Sequence, residues 1–219
     1  MQADLLIHNA TQLLTLASPG GPKRGTAMGD LGIVPGGAVA IRDGLIRATG
    51  PSDQLAPQVR AGRTLDAGGR VVMPGFIDPH THLVWAGDRA DEFEKRVAGA
   101  SYMEIMAAGG GIMSTVRHTR AASVDELVAQ TRPRLESALA HGTTTVEVKT
   151  GYGLNVEDEL KQLSAIERLR EEFPGRLVPT FLGAHAIPAE YKGRTDAYVD
   201  LIVEAMLPAV AALDDPPPF

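Results

Sequence analysis

The sequence predicts an α/β protein, with a short all-β unit first and a parallel sheet alternating with helices after it. Three observations carry that prediction. From about residue 70 onward, strand-like and helix-like segments alternate, the pattern that builds a parallel sheet. Before residue 70, Asp43-Gly44 stands between two apolar runs, a strong short-range hairpin signal. Between the two regions, His80-Thr81-His82 follows a short apolar run, and alternate residues of a strand share one face.

In chain order, Leu5-Leu6-Ile7 and Leu13-Leu14-Thr15-Leu16 are apolar runs with polar flanks and read as short strands. Residues 17–36 are rich in Gly and Pro and read as a loop. Val39-Ala40-Ile41 and Leu45-Ile46-Arg47-Ala48 form the hairpin, whose Asp43-Gly44 turn needs positive φ. Val71-Val72-Met73 leads into Gly75-Phe76-Ile77, an apolar run suited to a fully buried parallel strand. Ser123-Val124-Asp125-Glu126 is a capping box, and apolar residues at 124, 127, 128, 135, 138 and 139 continue the helix to His141-Gly142. Thr143 to Val148 is β-branched and forms the next strand. Asn155 caps a second helix to about Arg170, closed by Pro174-Gly175. Leu177 to Leu182 is a further strand, and Thr195 caps a last helix to about Ala212. The alternation fits a barrel or a doubly wound sheet.

Composition narrows the function. The 219 residues carry 21 basic and 27 acidic side chains, a net charge of −6, with no basic run to attract nucleic acid or an anionic membrane. There is no cysteine, so any metal must be held by His and carboxylates. Met1-Gln2-Ala3-Asp4 lacks a signal peptide's basic start, and no apolar run reaches the roughly 20 residues of a membrane span. A soluble cytoplasmic protein acting on a small molecule is expected. Neither a Gly-x-Gly-x-x-Gly after the first strand nor a P-loop lysine motif supports a nucleotide-binding alternative.

His80 and His82, two residues apart at the C-terminal end of a parallel strand, can grip one metal ion at the end of the sheet where barrel active sites lie. Tyr152 sits between two glycines just after a strand, where backbone can approach a ligand closely. Tyr102 opens an apolar helical stretch and reads first as core. His185 follows the strand ending at Leu182 and reads evenly as a site residue or a hydrogen-bonded structural histidine. For Lys149, a salt bridge to Glu147 or Asp78 competes with a carboxylated, metal-bridging lysine. His8, His118 and His141 carry no site argument, and His141 suits the macrodipole at a helix end.

The run Pro74-Gly75-Phe76-Ile77-Asp78-Pro79-His80-Thr81-His82 resembles the first-strand signature of the amidohydrolase superfamily. Within it, Leu83 to Arg89, Gly109-Gly110-Gly111-Ile112, Val148 to Leu154 and Gly183-Ala184-His185 resemble the imidazolonepropionase family. The likeness runs to about Ala212. It implies a (β/α)8 TIM barrel over residues 71–212, a composite β-sandwich portion over residues 1–70, and a non-family tail at 213–219. It further implies His80 and His82 as ligands of one zinc or iron ion. Arg89 would take the substrate's propionate, Tyr102 and Tyr152 would hydrogen-bond the substrate, and His185 would contact its ring in catalysis. The implied reaction hydrolyses the cyclic amide of 4-imidazolone-5-propanoate to N-formimidoyl-L-glutamate in histidine degradation; another cyclic-amide hydrolase or a deaminase is the alternative. A homodimer is compatible with the full-length family.

About 150 residues follow Val71, against roughly 250 in a complete barrel, which is room for four or five βα units. The barrel is therefore expected to be truncated, by a frameshift or early stop, with further metal ligands and the acid/base residue on strands this sequence lacks. The isolated chain is then expected to be unstable and inactive, because open parallel-sheet edges stay unpaired.

Overall fold

The computed structural model describes the chain except for Pro19 and Phe219, which fall in the expected loop and tail and lie outside the described residues. Two units are distinct, Met1–Pro74 and Gly75–Phe219.

The first unit holds β1 (Gln2–His8), β2 (Gln12–Leu14), β3 (Ile33–Pro35), β4 (Gly37–Arg42), β5 (Leu45–Pro51), a single turn α1 (Ser52–Leu55), β6 (Arg60–Asp66) and β7 (Val71–Val72). They form a four-stranded sheet, β5-β4-β1-β6, and a three-stranded one, β3-β2-β7. The β4–β5 hairpin pairs Arg42 with Leu45, so Asp43 and Gly44 alone make the turn. Both have positive φ, 54° and 71°, as a type I′ turn requires. A small cluster of Ala3, Leu6, Ala38 and Ala40 is the buried core of this sheet.

Two expectations change here. The stretch 17–36 is not all loop, because Ile33 to Pro35 pairs antiparallel with β2, placing Val34 opposite Leu13. The β-branched Ile33 and Val34 meet an open edge of β2, which outweighs the surrounding glycines. Val71-Val72 does not lead into the strand at 76; it pairs parallel with β2 as β7, and Pro74-Gly75 follows it.

The second unit holds β8 (Phe76–Thr81), α2 (Ala90–Val97), α3 (Tyr102–Ala107), α4 (Ile112–Ala121), α5 (Val124–Ala140), β9 (Thr143–Lys149), α6 (Val156–Glu172), β10 (Arg176–Thr180), α7 (Thr195–Leu201) and α8 (Leu207–Ala211). The sheet order is β10-β9-β8, parallel throughout, with Ile77 beside Thr145 and Val178 beside Glu147. Central β9 divides its side chains by parity. Val146 and Val148 are buried in a core that includes Leu127 and Leu135 of α5 and Ile166 and Leu169 of α6. Thr145, Glu147 and Lys149 alternate with them and stay partly accessible. The helix starts are those the sequence encodes: Ser123 and Glu126 close a reciprocal capping box on α5, and the Asn155 side chain accepts the Asp158 N–H on α6 at 2.7 Å. No described helix is long and apolar enough to cross a membrane.

β8 is not the fully buried strand its apolar run suggests. Phe76 is 54 % and Ile77 68 % exposed. Burial of a parallel strand needs a neighbour on each side, and among the described residues β8 pairs only with β9. The last helix also differs. Thr195 is its first residue rather than its cap, and Arg194 at the cap position makes no side-chain capping bond. Between α7 and α8 the helix widens into a π turn over Ile202–Met206. Pro208, which has no N–H to give the carbonyl of Glu204, lies two residues beyond that turn.

Ile166 is fully buried between α6 and the sheet. Replacing it with valine removes one methylene from that core and is expected to lower stability by about 1 kcal/mol. An unchanged urea midpoint would show that this contact does not hold the unit together.

Candidate active site

The C-terminal ends of the three parallel strands bring four rings together. His80 ends β8 with Thr81, and His82 follows at once; their ring centroids lie 5.7 Å apart, edge to face. Beyond the end of β10, His185 stacks on His82 at 4.1 Å with the planes 9° apart. Tyr152, in the loop after β9, lies 5.3 Å from His82 and 5.4 Å from His185. The sheet thus sets residues some 70 and 100 positions from His82 against it.

His82 is the electrostatic focus. Burial pushes its pKa down to about 4, and the neighbouring charge of His185 adds to that, while a bond to the Thr150 backbone acts in the other direction. Its Nδ1 is buried and has no hydrogen-bond partner. A neutral imidazole with an unpaired buried nitrogen is the form that ligates a metal.

The site backbone is pinned from the helices behind it. Arg134 of α5 donates to the carbonyls of Leu83 and Trp85 at 2.9 Å each and lies 3.5 Å over the Trp85 ring. Gln162 of α6 donates to the Val84 carbonyl at 2.7 Å. On the other side, Gly151 has φ of 113°, and a Cβ there would lie 2.6 Å from that of His185, so only glycine fits. The Gly151 carbonyl meets Nδ1 of His185 at 3.0 Å. With that nitrogen donating, Nε2 is left as the acceptor of the ring.

Other candidates fall as follows. Arg89 precedes α2 with its side chain half exposed, 4.0 Å from Glu92. Its positive charge favours ionisation of the Tyr152 phenol, although burial is the larger influence and raises that pKa. Tyr102 opens α3 and is 64 % exposed, so the core alternative fails for it. Among the described residues no ring contact joins Tyr102 to the cluster. Lys149 lies 2.6 Å from Glu147, whose carboxylate also accepts the Thr180 hydroxyl at 2.7 Å. The lysine bond, ahead of the others, holds the Glu147 pKa down. Lys149 is a salt-bridged residue here. Among the described residues no group of three or more His, Asp or Glu could hold a metal ion.

Residues 63–104 match the amidohydrolase family. A triazine hydrolase from Arthrobacter aurescens shares the fold at TM-score 0.55 and 19 % identity, over 98 % of this chain and 44 % of its own. So does an adenosine deaminase from Xanthomonas campestris with bound zinc, at TM-score 0.54 and 18 % identity, over 92 % and 40 %. Sequence is more specific. The imidazolonepropionase of Symbiobacterium thermophilum is 58 % identical over 212 residues, 95 % of this chain. That of Chloroflexus aggregans is 58 % identical over 205 residues, 94 % of this chain. Over nearly its whole length the chain is similar to these imidazolonepropionases. It spans about half the length of these curated relatives, 49 % and 48 %.

Two residues behind the ring cluster escape a reading by motif, Glu159 and Gln162. Both are buried on α6, at 1 % and 0 % exposure, and both accept backbone N–H groups from the loop that carries Tyr152. A signal was present. They occupy positions on the same helix face as Leu163, Ile166 and Leu169, where an apolar residue is expected.

Proposed function

We propose that this protein hydrolyses the cyclic amide of 4-imidazolone-5-propanoate to N-formimidoyl-L-glutamate, a step of histidine degradation. The observation that carries the reading is the meeting of His80, His82, Tyr152 and His185 at the C-terminal ends of three parallel strands. One zinc or iron ion is the proposed cofactor. The unpaired buried Nδ1 of His82 and the neighbouring His80 ring, 5.7 Å away, are the pair that would hold it. Such an ion, when bound, supplies water activation at neutral pH and stabilises developing negative charge.

The chain's own residues then divide the work. Arg89 takes the propionate carboxylate in two parallel hydrogen bonds. The Tyr152 hydroxyl and the Nε2 side of His185 contact the imidazolone ring. Tyr152 is a donor placed for charge that develops on the ring carbonyl oxygen. His185 is kept in orientation by the Gly151 carbonyl. Water adds across the amide, its oxygen to the carbonyl carbon and a proton to the departing ring nitrogen. Tyr102, exposed on α3, is the further proposed hydrogen-bond partner of the substrate.

The same reading treats the parallel sheet of the second unit, from Gly75 to about Ala212, as part of a (β/α)8 barrel. The first unit, which takes in β7 beyond the expected boundary at residue 70, is part of a small β-sandwich, and 213–219 lie outside the family pattern. The exposed Phe76 and Ile77 on β8 support a barrel, where a further strand or layer would cover them. A cytoplasmic enzyme with a small-molecule substrate and a homodimeric assembly complete the proposal.

The test is to purify the whole protein with its metal and follow loss of 4-imidazolone-5-propanoate. Hydrolysis at one metal per site is expected. A metal-loaded protein that leaves this substrate intact and turns over an analogue without the carboxylate would move the function to another amidohydrolase reaction.

A further inference from the structure

We infer that Glu159 and Gln162 are positioning residues, which hold the 151–154 loop so that Tyr152 and His185 face His82. The inference rests on the proposed role of Tyr152 and His185 at the substrate.

A loop that presents one side to a ligand must satisfy its amide groups on the other. Here all four N–H groups of the loop turn to α6. Glu159 accepts from Gly151 at 3.1 Å, Gly153 at 2.9 Å and Leu154 at 2.7 Å. Gln162 accepts from Tyr152 at 3.1 Å and again from Gly153 at 2.9 Å. Successive N–H groups converging on one anion form a nest, and here the anion is a side chain of the protein itself.

The arrangement carries costs that packing alone would not justify. A carboxylate at 1 % exposure is an expensive way to fill a core, and burial pushes the Glu159 pKa up. Leu154 adopts φ of 54°, a conformation that disfavours a residue with a Cβ. Gly153 lies so close to the start of α6 that a Cβ would come within 2.4 Å of the Glu159 nitrogen. Arg120 takes the outward carbonyls, Gly153 at 2.6 Å and Leu154 at 3.3 Å. The loop is fixed from both edges.

What the fixing achieves is on the opposite side. The Gly151 carbonyl holds His185, and the Tyr152 ring packs on both His185 and His82. Gln162 also joins the two halves of the site. Its oxygen binds the Tyr152 loop, and its nitrogen donates to Val84, two residues beyond His82. One amide thus sets the spacing between the β8 end and the β9 end.

The decisive variant is Glu159→Gln in the whole protein. It keeps the size and one acceptor oxygen but turns an NH2 group toward backbone N–H donors. Expected are normal metal content, faster hydrogen exchange of the amides at 151–154, a weakened His185 Nδ1–H signal in NMR, and about a tenfold fall in kcat/KM per metal-loaded molecule. A loop that exchanges faster while kcat/KM stays within twofold of the parent would overturn the inference. So would unchanged exchange and an unchanged His185 signal. If the parent itself fails to hydrolyse imidazolonepropionate, the proposed activity is wrong, and the exchange and His185 readouts alone then decide the positioning role. Should Glu159→Gln fail to fold, Thr150→Val carries the test. It removes the hydroxyl that bonds Glu159 and accepts the Leu182 N–H. The same losses are expected from it, with Thr150→Ser restoring them; equal behaviour of the two variants would overturn the inference.

Discussion

Replacing His82 with alanine is expected to leave the whole protein without stoichiometric metal and to lower turnover of imidazolonepropionate by more than about 1,000-fold. The argument starts from the ring's surroundings. His82 is half buried between His185 and Tyr152, burial holds it neutral, and its Nδ1 has no hydrogen-bond partner. A buried polar atom left unpaired costs free energy in the fold, so its retention points to a ligand that pairs it. Alanine removes that nitrogen and also the flat surface on which His185 stacks, so two parts of the site fail together. His80 is the more exposed of the pair and touches His82 only edge-on. His80→Ala should therefore weaken metal retention while leaving the His185 ring in place. Metal analysis beside an activity assay separates the two variants. Parental metal content in His82→Ala would remove this imidazole from the ligand set.

The reason this pair was legible in sequence is geometric. Two histidines separated by one residue at the end of an apolar run are near neighbours in the chain, and their rings meet edge to face although His82 lies just beyond β8. The same holds for the Asp43-Gly44 hairpin and for the capped starts of α5 and α6, where the residues that make the structure are its immediate neighbours. Sheet order is another matter. That His185 would stack on His82 follows from β9 lying between β8 and β10, which no periodicity states. The exposure of β8 escaped for a related reason. An apolar run reports the environment a strand requires, and Phe76 and Ile77 do not find it among the described residues. Helices α2 and α4 went unread because their apolar positions are sparse and their ends lack side-chain caps. Glu159 and Gln162 were missed because polar residues on a helix are read first as solvated. Their place on the buried face was visible; the loop they bind was not.

Replacing Arg89 with alanine is expected to raise KM for imidazolonepropionate about 100-fold with kcat little changed, the signature of binding energy used equally in ground and transition states. A hydrogen-bonded pair between charged groups contributes roughly 1.5–3 kcal/mol, and a planar guanidinium meets a carboxylate with two bonds at once. Two features limit the effect. The side chain is half exposed, so water screens part of the attraction. It also lies 4.0 Å from Glu92, an interaction that substrate must compete with. Lysine at the same position keeps the charge but not the fork, and should recover only part of the loss. The cleanest control changes the substrate instead. If the propionate is converted to its neutral amide, the parent should lose most of its advantage over Arg89→Ala, because the group proposed to meet the arginine is gone. A KM within threefold of the parent, or an equal penalty against the acid and the amide, would assign the propionate to another residue. It would leave Arg89 as a helix-start residue paired with Glu92, whose charge only incidentally reaches Tyr152.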